Sequence, residues 1–530
     1  MLKNRHFGVS LGLMFAATLA FGQNGIGPIR TSVPNANARS GHPDTIIARG
    51  FALKSVAVGS DLLENPSGEI TALGFLNDFP PQTVEPTKTE PDQNLYVVFQ
   101  HNPGGPTGGY NYGRHFLYQP HESPTNNSYV TRINLDVQDP AHRITLLTPV
   151  GSDGLTHFSA ADGSTFDPFT RTLLFTQETG APNGGVIQIT TSWPPVIARL
   201  DGIFGSAAYE GIHPDDRGNI LAIEDAGGTS VNVVPNDSTT PKAARQPNSF
   251  VYRLVPYDKR DLSKGGRLQA LQVSIDGRPV VFHAADPVGD VFSDNQLKLH
   301  TLGTSYPVRW ITVHDTAVDG TASFDANAAA KTAGATPFKR PENAQFLPGS
   351  GFRTFFFCPT GDTNADSGNQ PDLAARGVWG SIFRVDLNAS RNNGRISVFV
   401  VGDADHSSFD NLAFADKNTL LATEDRGDGL HTQLNKLDSV WAFFLNGARA
   451  KRFVALGRDP ASELDTTLAG MPGFQNEGDN EPTGLHVSNG STSVEGLLGT
   501  SASLEHARAF LTRQHGENEV WEIVKTRHDD

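Results

Sequence analysis

The hydrophobic pattern is one of short apolar runs broken by turn formers. Thr354-Phe355-Phe356-Phe357-Cys358 is the clearest run, and a shorter one, Ala344-Gln345-Phe346, precedes it across Pro348-Gly349-Ser350-Gly351. Runs rich in aromatic and β-branched residues, bracketed by Pro and Gly, predict strand, turn, strand. The unit recurs. Gly163-Ser164-Thr165-Phe166 leads to Leu173-Leu174-Phe175-Thr176-Gln177-Glu178, and Tyr209-Glu210-Gly211-Ile212 leads to Leu221-Ala222-Ile223-Glu224-Asp225. Asp410-Asn411-Leu412 leads to Leu420-Leu421-Ala422-Thr423-Glu424-Asp425, and a degenerate copy opens at Glu481-Pro482-Thr483-Gly484 and returns over 507–512. Further strands, such as Phe250-Val251-Tyr252-Arg253-Leu254 and Val520-Trp521-Glu522-Ile523-Val524, finish the units. Repeated hairpins of this kind predict an all-β fold, a β-propeller of six or seven blades with long inter-strand insertions, chiefly 226–247 and 286–338. Residues 46–75 are expected to hold one or two strands, and 77–89 a loop.

In an antiparallel hairpin the start of the first strand and the end of the second share one end. Arg340, Glu342 and Asp362 are therefore expected near one another. Blades share one polarity about the axis, so Glu178, Glu210, Glu224, Asp225, Glu342, Asp362, Asp410, Glu424 and Asp425 are expected at one mouth. Taken singly, Glu-Asp after a strand reads as a solvated turn; the recurrence argues for a site. So many carboxylates do not all ionise together without cations. Oxygen-rich clusters select hard ions such as calcium, magnesium or ferric iron. Arg340 is the odd residue. Pro341 biases its backbone to the extended region, and Glu342, two residues on, is expected on the same side. A guanidinium there either neutralises the ring or clamps an oxyanion such as phosphate. His121 and His213 read as surface or supporting residues. Cys358 reads as a buried, inert thiol, and as the only cysteine it excludes an internal disulfide. No serine-nucleophile elbow, Walker loop or His-Glu-x-x-His motif is evident.

A formal net charge of −15 argues against nucleic-acid binding. The start, Met1-Leu2-Lys3-Asn4-Arg5, followed by an apolar run over 7–21 and Ala20-Phe21-Gly22, reads as a cleaved signal peptide, 1–22. Residues 23–45 are expected to be a flexible mature N-terminus and 46–528 a single propeller domain. The expected location is periplasmic or secreted. The expected state is a monomer that binds neither membrane nor nucleic acid.

From Arg114 to Trp521 the sequence resembles the PhoX-type alkaline phosphatases, secreted β-propellers. The resemblance rests on ordered motifs: Leu117-Tyr118-Gln119-Pro120-His121-Glu122, the stretch 163–178, Glu210-Gly211, Glu224-Asp225, Tyr252-Arg253-Leu254-Val255-Pro256, Leu262-Ser263-Lys264-Gly265-Gly266-Arg267-Leu268, Arg340-Pro341-Glu342, Asp410-Asn411-Leu412 and Glu481-Pro482-Thr483-Gly484. It implies phosphomonoester hydrolysis at a mixed iron and calcium site, acting on a small phosphorylated substrate. Carried over, Glu178, Glu210 and Glu342 are metal ligands and Arg340 holds phosphate. By the same resemblance Glu122 and Glu481 are expected nearby, and Glu224, Asp225, Asp362, Asp410 and Glu424, from the strand-end pattern, are expected as further ligands or supporting residues. Two positions depart from the family. No cysteine occurs in His157-Phe158-Ser159-Ala160-Ala161-Asp162, where the family has an iron ligand, and Gln177 precedes Glu178 where an acid is expected. Calcium is thus the expected cation, and iron lacks its thiolate. The N-terminus has no arginine pair, which points to Sec export. The alternatives are a non-catalytic secreted binding module and a calcium-dependent propeller hydrolase of another class, phytase-like or lactonase-like.

Overall fold

The computed structural model describes residues 29–34, 45–76, 87–123, 126–457, 481–494 and 507–526. The expected signal peptide and most of 23–45 lie outside them. The apolar runs become strands buried on both faces, as in Thr354–Pro359 and Thr419–Glu424. A strand is apolar on both sides when sheets pack against both of its faces. That is the situation inside a propeller.

Six antiparallel units follow one another around an axis. Their innermost strands begin near Glu90–Pro91, Ala161–Asp167, Tyr209–Pro214, Pro341–Phe346, Phe409–Asp416 and Pro482–Ser488. We number the blades one to six in that order. The core follows the same plan, with a separate apolar cluster in each seam. Tyr209, Leu174 and Tyr252 fill the seam of blades two and three; Phe357, Ala344 and Val251 fill that of three and four; Leu421, Leu511 and Trp521 fill that of five and six. The remaining seams are packed alike.

The ring is closed without a covalent link. Phe51–Ala57 pairs with Val520–Lys525 and completes blade six, so the first long strand is locked to the last. Ile46–Ile47 likewise adds to blade five. Residues 46–76 hold five short strands rather than one or two, because Leu62–Ser67, Ile70–Ala72, Phe75–Leu76 and Thr87–Lys88 form a satellite sheet of their own. Residues 29–34 were expected to be loose. They are docked instead: Ile29 bridges to Arg452, and Val33 is buried against Leu437 and Ala455.

The insertions have structure. Within 226–247, Ser230–Asn232 and Lys242–Arg245 pair as a hairpin. Within 286–338, Tyr306–Asp315 pairs with the outer strands of both blade three and blade four and fuses them into one sheet. Among the described residues no helix is long and apolar enough to cross a membrane.

Candidate metal centre

Strand registers align the six blades residue by residue. Opposed across the inner hairpins are Pro91 and His121, Ala161 and Gln177, Tyr209 and Glu224, Pro341 and Pro359, Phe409 and Glu424, and Pro482 and Arg513. The next residue on the inner strand is Asp92, Asp162, Glu210, Glu342, Asp410 or Thr483. The residue after the second member of each pair is Glu122, Glu178, Asp225, Thr360, Asp425 or Gln514. In blades two to six this residue donates its N–H to the chain entering the inner strand, as Glu178 does to Ala160 O at 2.7 Å and Asp425 does to Ser408 O at 2.7 Å. In blades two to five the register slips just after the opposed pair, at or beside the inner-strand acid, and in blade six it slips one residue later, after Thr483. Such bulges bend a strand and re-aim its side chains.

The residue that follows each inner acid must be small or make a specific bond, because inner strands touch there. A Cβ on Gly163 would lie 2.0 Å from Glu210 O, and one on Gly211 2.9 Å from Asn343 Cα. Where the residue is Asn411, its Oδ1 instead accepts from Leu485 N at 3.1 Å.

These positions converge on a cavity of about 160 Å³ lined by ten carboxylates: Glu90, Asp92, Glu122, Asp162, Glu178, Glu210, Glu342, Asp410, Asp425 and Glu481. Its only cation among the described residues is Arg340. Two sets of oxygens lie within 4.8 Å of one another, from Glu178, Glu210, Asp225 and Glu342, and from Asp92, Glu122 and Asp162. Burial, then neighbouring carboxylates, push Glu122, Asp162, Glu178, Glu210 and Glu342 well above the usual carboxylate range. Burial and Asp410 push Asp92 up to about 8, against hydrogen bonds from its neighbours. Glu210 Oε2 and Asp162 Oδ1 are buried and accept no hydrogen bond. Oxygens in that condition fit a hard cation, which is the fit test for calcium.

The sequence-based candidates divide. Glu122, Glu178, Glu210, Glu342, Asp410, Asp425 and Glu481 line the cavity, and Asp225 reaches the first cluster. Glu224, Glu424 and Asp362 do not line it. Glu224 accepts from Phe250 N, Tyr252 Oη and Asn327 Nδ2 within its own blade. Glu424 takes hydrogen bonds from Ser407 N and the fully buried Arg426. Consecutive residues of a strand point to opposite sides, so only the second acid of each Glu-Asp pair can enter the axis. Asp362 turns away at Gly361, whose φ is 89°, and pairs with Lys339 Nζ at 3.1 Å. Thr360 holds the ring position in blade four. Glu90, Asp92 and Asp162 went unnoticed in the sequence. The signal was present: Glu90-Pro91-Asp92-Gln93 has the form of Glu481-Pro482-Thr483-Gly484 and Arg340-Pro341-Glu342-Asn343.

Arg340 is not extended, as Pro341 suggested, but has φ of 50°. Ala160 and Ser408, at the equivalent positions of blades two and five, also have positive φ, 41° and 54°. Entry to the inner strand therefore overrides the local preference. Arg340 Nε lies 2.9 Å and Nη2 2.7 Å from Asp225 Oδ2, and Nη2 lies 3.5 Å from Glu342 Oε1. Nη1 makes no hydrogen bond among the described residues. Arg245, from the inserted hairpin, is a second guanidinium nearby. Its side chain has no hydrogen-bond partner among the described residues, and burial and Arg340 hold it below the usual arginine range. Cys358 is buried, and its Sγ donates to Asp410 O at 2.6 Å. Gln177 turns away from the axis, accepting from Arg199 and donating to Ser159 O. His121 and His213, expected at the surface or in support, are buried and pushed down by burial to about 3 and about 4. They are neutral.

Fold and site define a β-propeller with an anionic, cation-competent mouth. Residues 233–488 match the family model described as alkaline phosphatase PhoX. Among solved structures, Pseudomonas fluorescens PhoX in complex with vanadate, a transition state analogue, is similar at a TM-score of 0.53 and 13% identity, over 95% of this chain and 98% of that one. At that identity the likeness speaks for the fold alone. A family 43 glycoside hydrolase from Bacillus licheniformis matches at a TM-score of 0.23 and 11% identity, over 94% of this chain and 100% of that one, and carries no argument. No curated protein sequence matches the chain significantly.

Proposed function

We propose that the protein is a metal-dependent phosphomonoesterase that uses calcium. The observation that carries this reading is the buried ring of carboxylates with unpaired oxygens around one arginine, in a chain whose residues 233–488 match the PhoX alkaline phosphatase family model. Glu178, Glu210, Asp225 and Glu342 would hold one cation, and Asp92, Glu122 and Asp162 another. Bound cations supply Lewis-acid charge to phosphoryl oxygens. Arg340 presents a planar fork for the same oxyanion, with Nη1 free and the other edge on Asp225. Arg245 adds positive charge beside it. The seams of buried apolar residues keep the mouth rigid, so the donors need little reorganisation.

The donor set is all oxygen. Cys358 is committed to Asp410 O and offers no thiolate, which favours calcium over a thiolate-bound iron. The same departure from the family keeps a second reading in play, a calcium-dependent propeller of another hydrolytic class or a non-catalytic binder. Elemental analysis of the purified protein, with turnover of p-nitrophenyl phosphate and of a lactone, separates them. Calcium with phosphomonoester turnover supports the proposal. Calcium with lactone turnover alone, or with neither, overturns it. By this reading the protein works outside the cytoplasm on a small phosphorylated substrate.

A further inference from the structure

A cavity at the other end of blade three is lined by the opposite charge. The turn Asp215-Asp216-Arg217-Gly218-Asn219 joins the two inner strands of blade three at the end away from Glu210 and Asp225. Beside it opens a cavity of about 370 Å³, lined by Arg217, Asn219, Arg253, Arg267, Gln269 and Trp310 among others. Cationic lining is unusual in a chain whose formal net charge is −15.

The cavity is built on a fixed base. Arg253 is 6% exposed. It donates through Nη2 to Gln269 Oε1 at 2.6 Å and through Nη1 to Arg391 O at 2.6 Å, and stacks over Trp310 at 4.7 Å. Gln269 Oε1 and Asn392 Oδ1 take its Nη2 hydrogens and Gln269 also takes Nε–H, which leaves one Nη1 hydrogen unassigned. The exposed Arg217 is anchored on the carbonyls of Ser390 and Ala389, both at 3.0 Å. Arg267 makes no hydrogen bond or ion pair among the described residues. Among the acids around it, Asp215 and Asp216 pair with Arg391, and Asp315, opposed to Arg267 across the strands, accepts from Tyr257 Oη and Ala317 N. Burial, with repulsion from Arg217, Arg267 and Arg391 and with Asp215 opposing, holds Arg253 down to about 10. Three arginines converging on one cavity, with only Asp315 opposite Arg267 as an uncommitted charge, favour an anion between them.

We propose that this cavity binds a small multivalent oxyanion of the phosphate or sulfate class, at a site separate from the carboxylate mouth. Arg217 and Arg267 supply the accessible fork, Arg253 the fixed floor, and Asn219 and Asn392 neutral donors. The proposal does not depend on phosphatase activity.

Equilibrium dialysis with labelled inorganic phosphate tests it on the intact protein. Three proteins are compared: the parent, the double variant Arg217→Gln with Arg267→Gln, and Arg340→Lys. Both replaced arginines of the double variant are exposed, and an unchanged melting temperature verifies its fold. Arg267→Glu is the reserve if it does not. The double variant should bind phosphate at this site about tenfold or more weakly, from the loss of charged hydrogen bonds, and should turn over phosphomonoester as the parent does. Arg340→Lys should keep this site. Sulfate should displace the phosphate lost in the double variant. Phosphate binding unchanged in the double variant overturns the proposal, as does displacement by succinate but not by sulfate. A defect confined to Arg340→Lys would belong to the mouth and would leave no second site.

Discussion

Two sectors of one ring handle their carboxylates differently. Where blade six meets blade one, the ring positions of blade six are Thr483 and Gln514. They donate to Asp92, one to each oxygen, at 2.7 and 3.1 Å. Asn94 adds a bond to Gly484 O at 2.8 Å across the same seam. Where blades two, three and four meet, the same positions are Glu178, Glu210, Asp225 and Glu342, and Glu210 Oε2 is left bare. Neutral donors let the protein satisfy its own carboxylate. Acids in their place leave oxygens that only a cation or a proton can satisfy. The backbone is shared, so the side-chain identity at two ring positions per blade decides how many carboxylate oxygens the protein satisfies itself and how many are left for a cation alone.

The comparison breaks first at Glu210. Glu210→Gln should remove bound calcium and lower phosphomonoester turnover more than about a hundredfold, beyond the usual loss from a residue that only supports a metal ligand. Full calcium stoichiometry in this variant would take Glu210 out of the site.

Chelation comes next. A cation that binds only the folded state at a hundredfold above its dissociation constant stabilises by about 2.7 kcal/mol. Thermal melting with and without a chelator measures this. The pH dependence should reverse as well. In the chelated protein the mouth carboxylates hold protons more tightly folded than unfolded, so stability is full below about pH 4. It should then fall as pH rises toward the value of about 8 to which Asp92 is pushed. With calcium bound the slope should flatten. A melting temperature that climbs with pH in chelator would contradict the burial of protonated acids.

Arg340→Lys keeps the charge and loses the fork. Phosphate affinity should drop by about 1–2 kcal/mol, with calcium content intact. Phosphate binding equal to the parent's would leave Arg340 as a neutralising partner of Asp225 only.

The smallest effects lie at the seam of blades six and one and on the far side of the strands. Thr483→Val should cost about 1 kcal/mol, one hydrogen bond to Asp92, in denaturant unfolding, and should leave calcium content unchanged. Glu224→Gln should also leave calcium stoichiometry unchanged, because its carboxylate serves Phe250, Tyr252 and Asn327. Loss of calcium in Glu224→Gln would mean that the two sides of the strand are not independent.

The sequence alone determined the class of fold and the kind of site. Its apolar runs had to be buried on both faces, and the recurrence of hairpins with acidic ends placed Glu178, Glu210, Glu342 and Asp410 at one mouth. Those features are local and periodic, so they can be read without knowing what packs against what. The tertiary structure decided the rest. It separated Glu224 from Asp225 and Glu424 from Asp425, since the facing of adjacent residues depends on register. It brought in Asp92, from a stretch of little strand character that pairs with Glu122 and His121 only once the ring is closed. It set Arg340 at positive φ against the preference imposed by Pro341. It also gathered Arg217, Arg253 and Arg267 at the far end from separate strands and turns. Closure of a ring is a long-range constraint, and no window of sequence contains it.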